Sequence, residues 1–424
     1  MLAVPQVQNL GLQIMGDYNK FIRSRRAFLK LSGVALTAMA LPHHRAAARN
    51  AHPEITSRII LEHDDSQFLW FHPRACSVPA RKPNKPPRIV LTLQKHLRVS
   101  DYYSGLWYMI SDDLGQTWHG PVEIPTLAWR EGPNQTTESI ADVTPGFHPP
   151  TGRVLAIGAG VFYRRDGHQA ENLPVASPTV YAVYDPERDA WSERNVLELP
   201  DDPRFHTARC ACAQWLVQPD GSLLLPLYFK PREATDYTVA VVRCSFDGSR
   251  IIFQSMGNEM TVAGGRGLCE PSLVRCRDRF FLTLRNNDRG YVTSGMDGLH
   301  FESIRSWSFD DGSDLGSYNT QQHWLTHQNR LYLSYTRRGA GNDHIPRHRA
   351  PLFLAEVDPE RLVVLRDTEQ VLIPERGATL GNFGAGPVTP DESWVTVSEG
   401  VWSDEARQRG ATGATWIASI RWNT

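Results

Sequence analysis

Three observations predict an all-β chain arranged as a β-propeller of four-stranded blades. First, short runs rich in β-branched and aromatic residues recur at 88–93, 154–157, 180–184, 223–228, 239–242, 280–284, 331–335 and 394–397. Each has the length and composition of a strand. Second, turn-forming groups such as Pro219-Asp220-Gly221, Phe246-Asp247-Gly248, Met296-Asp297-Gly298 and His327-Gln328-Asn329 separate them, with no long helical period between. Third, the turn Ser111-Asp112-Asp113-Leu114-Gly115-Gln116-Thr117-Trp118 is echoed in degenerate form near 184–191, 245–248 and 294–301. Echoes separated by tens of residues are the spacing of propeller blades.

The elements follow in order. Ser24-Arg25-Arg26-Ala27-Phe28-Leu29-Lys30 precedes an apolar run over 31–41 that ends near Ala46-Ala47-Ala48. A charged region, a short apolar core and a small-residue end make an export leader. The core is too short for a good membrane span. The paired arginines before Phe-Leu-Lys resemble the twin-arginine signal, which implies a bacterial protein exported already folded. Residues 1–50 are therefore read as leader and short linker, and 51–424 as one propeller domain. No later segment is apolar enough to span a bilayer.

The 111–118 turn joins the strand-like runs 105–110 and 121–124. Asp113 can accept hydrogen bonds from its own turn's amides, Gly115 supplies a positive φ, and Trp118 can seal the underside. Blades are expected near 66–125, 138–198, 206–258, 268–308, 318–372 and 382–422. Six is the expected number; the length of 138–205 leaves seven open. No Ser/Gly-rich linker divides the chain.

Composition narrows the function. A formal net charge of -1 gives no electrostatic footprint for nucleic acid and no polybasic patch for lipid. Six cysteines in 424 residues are not a disulfide framework. They read as buried thiols, with a Cys269–Cys276 hairpin bridge as the alternative. Twelve tryptophans and 29 prolines suit a loop-rich β body with aromatic surfaces.

Read as S-x-D-x-G-x-T-W, the 111–118 turn matches the Asp-box, the turn of bacterial-neuraminidase repeats. The chain resembles the sialidase superfamily, in particular its bacterial Asp-box branch. That resemblance implies three arginines holding a substrate carboxylate, an Asp as acid/base, and a Tyr nucleophile activated by a Glu. Arg74, in Phe71-His72-Pro73-Arg74-Ala75, occupies the first arginine's place, although Ile-Pro does not follow it. Asp101, in Ser100-Asp101-Tyr102-Tyr103, occupies the acid/base position. Glu270, in Glu270-Pro271-Ser272-Leu273-Val274, and Arg285 reproduce the family's Glu and second arginine at opposite ends of one hairpin. Tyr318, in Ser317-Tyr318-Asn319-Thr320, corresponds to the nucleophile. The third arginine stays open among Arg289, Arg305, Arg337 and Arg338.

The chemistry of the set is coherent. Guanidinium groups bind carboxylates in a planar fork, so converging arginines suit an acidic sugar. A neutral phenol avoids the repulsion that an anionic nucleophile meets beside a substrate carboxylate. A free Tyr ionises near a pKa of about 10 and needs a base, for which Glu270 is the expected partner. Asp101 needs partial desolvation to hold a proton. A second cluster, Gln321-Gln322-His323-Trp324 and the polar loop 337–349, is read as one rim of a funnel. His323, Arg338, His344 and Arg349 join the substrate-binding set from it. His148, His206 and Arg209 are further funnel candidates. The pairs His323/His327 and His344/His348 lack a third ligand of convincing spacing, so no metal and no cofactor are expected.

Three functions are consistent with these residues. The leading one is an exported sialidase-like exo-glycosidase acting on an acidic sugar. The second is a propeller polysaccharide lyase cleaving a uronate-containing glycan by β-elimination. The third is a non-catalytic carbohydrate-binding propeller.

Overall fold

In the computed structural model, residues 52–423 are described, apart from 81, 83, 84 and 172. The leader read over 1–50 lies outside them.

Strand character follows position in the ring. Middle strands lie between neighbouring blades, and Leu223–Lys230 is buried at every residue. The outermost strand of the first blade, His119–Glu123, is exposed at four of five positions. Six antiparallel sheets result. The first blade is Leu69–Val78, Arg88–His96, Trp107–Ser111 and His119–Glu123. The others are centred on Thr137–His148 with Arg153–Tyr163, Leu223–Lys230 with Thr238–Phe246, Cys269–Cys276 with Arg279–Arg285, His323–His327 with Arg330–Tyr335, and Gly384–Thr389 with Glu392–Ser398. The predicted blade ranges hold, and the number is six. The long second region carries extra short strands, Arg130–Glu131, Ala190–Trp191 and Asn195–Val196, within one sheet rather than a seventh blade.

One strand was not anticipated. Glu54–Glu62 pairs antiparallel with Ala414–Arg421, from Glu54 opposite Arg421 to Glu62 opposite Ala414. The start of the propeller thus supplies the outer strand of the last blade and closes the ring.

The 111–118 turn is built as the sequence suggests. Asp113 accepts from the Thr117 amide at 2.9 Å and the Thr117 hydroxyl at 2.6 Å. The Trp118 indole donates to Gly115 O at 3.1 Å. Gly115 has φ +75°, and a Cβ there would meet Trp394 at 2.8 Å. Aspartates at the corresponding third-to-fourth-strand turns of four other blades do the same work. Asp185, Asp247, Asp297 and Asp358 each accept a backbone amide two residues ahead at 2.8–2.9 Å.

All six cysteines are buried free thiols. Cys269 and Cys276 sit at the two ends of one eight-residue strand. At about 3.3 Å per residue they lie far beyond the reach of a disulfide.

Candidate functional site

The innermost segments of five blades share a departure from regular strand geometry. His72, Asp142, Cys212, Glu270 and Asn319, one in each of the first five blades, have φ between +43° and +58°. Strand register slips at three of these points, between Phe71 and Arg74, Ala141 and Thr144, and Cys269 and Ser272. A left-handed residue other than glycine costs of order 1–3 kcal/mol and persists where its surroundings fix it. Here the surroundings are its neighbours in the ring.

On one side, His72 Nδ1 lies 3.0 Å from Asp142 Oδ1, and Asp142 hydrogen-bonds the Cys212 thiol. Burial pushes the Asp142 carboxyl above the usual carboxylate range, although Arg74 opposes this. Burial holds the His72 imidazole well below its ordinary value. On the other side, Arg285 pairs with Glu270 and donates to Asn319 Oδ1 at 2.7 Å. Burial alone would raise the Glu270 carboxyl, but Arg285, Arg266 and Arg349 outweigh it and hold it at about 2. Arg349 donates to the Asn319 carbonyl. Loss of hydration, then the nearby Arg285 and Arg347, lower the Arg349 guanidinium to about 10. Arg349 forms no ion pair among the described residues. Glu270 Oε2, Arg285 Nε and Arg349 Nε are enclosed without a partner, a state that buried polar atoms rarely tolerate unless a ligand or water completes them.

Arg349 also lines a cleft of about 320 Å³, within the size range of small-ligand sites. The cleft opens where loops joining second and third strands meet. Asp101, Arg98 and Tyr103 come from the first blade's loop, Arg347 and Arg349 from the fifth's, and Trp402 from the sixth's. Phe71 and His96 complete one wall, where burial lowers the His96 imidazole to about 4. Asp101 is exposed to the cleft with φ +56° and lies 3.4 Å from the Tyr103 hydroxyl. Trp402 is 45% exposed. The 111–118 turn sits at the opposite end of Trp107–Ser111 from this face.

The structure sorts the expected residues. Glu270, Arg285 and Arg349 come together, and Arg349 links them to the cleft bearing Asp101. Tyr318 does not meet Glu270: its hydroxyl is 2.6 Å from His348 Nδ1. The expected Tyr–Glu pairing is therefore corrected: Arg285 takes Glu270 Oε1, Oε2 is left without a partner, and the phenol is bonded to His348 instead. Arg74 is 2% exposed and spends its guanidinium on Val143 O and Cys212 Sγ, at 3.2 and 3.1 Å. His323 is sealed in the core between Ser272 Oγ at 2.8 Å and Phe383 O at 3.0 Å. Both are buried, and neither lines the cleft described above. Arg338 is at the surface with Asp314, 3.1 Å away, and His344 lies 3.2 Å from Glu375. Of the further candidates, His148 bonds Thr151 and Gly221 O, and Arg209 bonds Ser177. Among the described residues no group of His, Cys, Asp and Glu is arranged to hold a metal ion.

Sequence reasoning missed Asp142, Cys212, His96 and Trp402, and gave Arg349 to the rim rather than to the cationic cluster. Asp142 did leave a signal. It is a lone carboxylate inside the apolar run Ile140-Ala141-Asp142-Val143, where an ionisable residue is rarely placed without a partner.

No protein-family model and no curated protein matches the sequence. Solved structures do match. A protein of unknown function from Dyadobacter fermentans aligns with TM-score 0.60 at 16% identity, over 87% of this chain and 99% of that one. The Hadza microbial sialidase Hz136 gives 0.58 at 11%, over 86% and 68%. Trypanosoma rangeli sialidase with the inhibitor DANA gives 0.55 at 11%, over 87% and 60%. The fold is a six-bladed β-propeller, the architecture these structures share. These likenesses establish architecture, and the chemistry must come from the residues.

Proposed function

We propose that this chain is an exported, glycan-active enzyme of exo-sialidase type that holds an acidic sugar in the cleft between Asp101 and Arg349. The observation carrying this reading is Arg349. It is a half-buried guanidinium with no carboxylate partner, flanked by Arg347 and backed by Arg285. Such a group gains from an anion that enters the cleft, and a planar carboxylate suits its fork. Glu270 keeps Arg285 oriented and limits the net positive charge. Asp101, in the same cleft, moves a proton at the glycosidic oxygen in this reading. Trp402 offers an apolar face to the sugar ring. The sialidase structures determined with the inhibitor DANA and with sialic acid share this fold, which supports the substrate class.

The test is release of 4-methylumbelliferone from a panel of acidic glycosides, sialosides and glucuronides among them, by purified protein. Turnover of one of them, lost in Arg349→Met, supports the reading. New ultraviolet absorbance from an unsaturated uronate would instead establish the lyase, which His96 and Tyr103 in the same cleft favour. The low pKa of His96 makes it a weak base for that chemistry. Glycan binding without turnover would establish the binding module.

A further inference from the structure

Tyr318 lies in a second constellation outside the Glu270–Arg285 pair. Its hydroxyl is 2.6 Å from His348 Nδ1, and His348 Nε2 is 3.2 Å from Asp343 Oδ1. The guanidinium carbon of Arg338 stands 5.2 Å from the centre of the Tyr318 ring. The loop that carries His348 is held in an unusual shape: Arg347 and His348 are consecutive left-handed residues, with φ +57° and +51°. Buried Asn342 fixes it by donating to Arg337 O at 2.9 Å and His348 O at 3.3 Å. Strain of this kind, maintained by a dedicated anchor, is found where a side chain must be aimed.

We propose that Asp343, His348 and Tyr318 form a proton relay in which His348 is the base that activates the Tyr318 phenol. The carboxylate of Asp343 accepts from Nε2–H, which fixes the tautomer and leaves the Nδ1 lone pair facing the phenol. The Tyr318 O–H bond breaks, a bond from Nδ1 to that hydrogen forms, and the charges become phenolate and imidazolium. Asp343 faces the imidazolium and Arg338 faces the ring of the phenolate. This is the arrangement of a nucleophile, a base and a group that orients the base. Asp343 is a positioning residue. Tyr318 adjoins Asn319, whose side chain and carbonyl are held by Arg285 and Arg349. The backbone that carries the Tyr318 phenol therefore borders the cationic cluster.

The catalytic use of the relay rests on the glycosidase reading, whereas its existence does not. In that reaction the phenolate forms a bond to the anomeric carbon while the leaving oxygen departs with a proton from Asp101. Water then breaks the Tyr–sugar bond, giving one proton back to Asp101. The phenolate recovers its own proton from His348.

Two measurements decide the matter. Nitration by tetranitromethane, which attacks phenolate, is mapped by peptide mass spectrometry on the whole protein. Tyr318 is expected to react faster than the other half-buried tyrosines. His348→Gln is expected to slow it at least about tenfold, and Asp343→Asn to slow it less, with other sites unchanged. Asp343 is almost fully exposed (96%), so Asp343→Asn will fold even if the histidine variant does not. An unchanged Tyr318 rate in either folded variant overturns the relay. On a hydrolysed glycoside, Tyr318→Phe and His348→Gln should each lower kcat by about 10²–10⁴-fold. The double variant should be no worse than the poorer single, as for residues acting as one unit. Full activity in Tyr318→Phe, or effects that multiply, also overturns it. A wild-type protein that hydrolyses none of the panel removes the glycosidase reading, and the nitration result still decides the relay.

Discussion

Two arginines that both hydrogen-bond Asn319 are expected to behave oppositely when removed. Arg285 is buried, paired with Glu270 and hydrogen-bonded to Asn319. Arg285→Ala leaves a largely buried carboxylate unpaired, a change that costs about 3–5 kcal/mol. It should lower the thermal midpoint together with activity, so it is not a clean probe of chemistry. Arg349 is the converse. Its guanidinium is held below its ordinary value, so folding disfavours the charged form, and that penalty is present at every pH below about 10. Arg349→Met should therefore melt at or above the wild-type temperature near neutral pH while losing turnover or anion binding. A lower midpoint in that variant would show that Arg349 is a structural ion. Glu270 sets the acid limit of the cluster. Its carboxyl falls from 4.5 to about 2 on folding, so its contribution is complete above about 4.5 and is lost as pH falls through 2. Glu270→Gln should flatten the acid side of a plot of melting temperature against pH, and an unaltered acid limb would count against the pairing.

At the level of the element, the turns and the inner-strand kinks have separate tasks on opposite faces. Asp113 is held at about 2, chiefly by the Thr117 hydroxyl and amide. Its contribution is present above about 4 and is lost as pH falls towards 2. Asp113→Ala should lower the thermal midpoint near neutral pH and lose much of that deficit in acid. Its kcat should stay within about twofold of wild type, because Trp107–Ser111 separates the turn from the cleft. A folded Asp113→Ala protein with normal melting and no turnover would contradict this assignment. These turns were legible in the sequence because Asp, Gly and a closing aromatic act within eight residues, so local chemistry fixes them. The Glu270–Arg285 pair was legible for a related reason: a hairpin brings its two ends together whatever the rest of the chain does. Arg349 was not, because Asn319 lies thirty residues back in its own blade and Arg285 in the blade before, and only the packing of those blades brings them close. Tyr318 was found and given the wrong partner. Its base lies thirty residues on in a loop with left-handed backbone that no propensity announces. Asn342, the anchor of that loop, is likewise one polar letter among many in 337–349.

For the whole molecule, the cleft depends on closing the circle, because its walls come from the first, fifth and sixth blades, and the earliest described strand takes part in that closure. Glu54–Glu62 covers Ala414–Arg421. Arg58 from this strand donates to Leu114 O at 3.0 Å and lies over the Trp394 ring at 5.2 Å. The same strand therefore touches the turn of the first blade and the middle strand of the last. Beyond it, Asp64 pairs with Arg98, which lines the cleft, and with Arg407 at 2.7 Å. Removing residues 52–62 should leave the Ala414–Arg421 edge without a partner, and an open edge pairs with other chains. The shortened protein is expected to melt at lower temperature, to associate in solution, and to lose cleft activity even though no cleft residue is deleted. A synthetic peptide spanning 52–64, added in excess, should restore the monomer and raise the midpoint with peptide concentration, as for any ligand that binds only the folded state. A shortened chain that melts like wild type and ignores the peptide would mean that the other five blades and the inner-strand ring hold the circle by themselves.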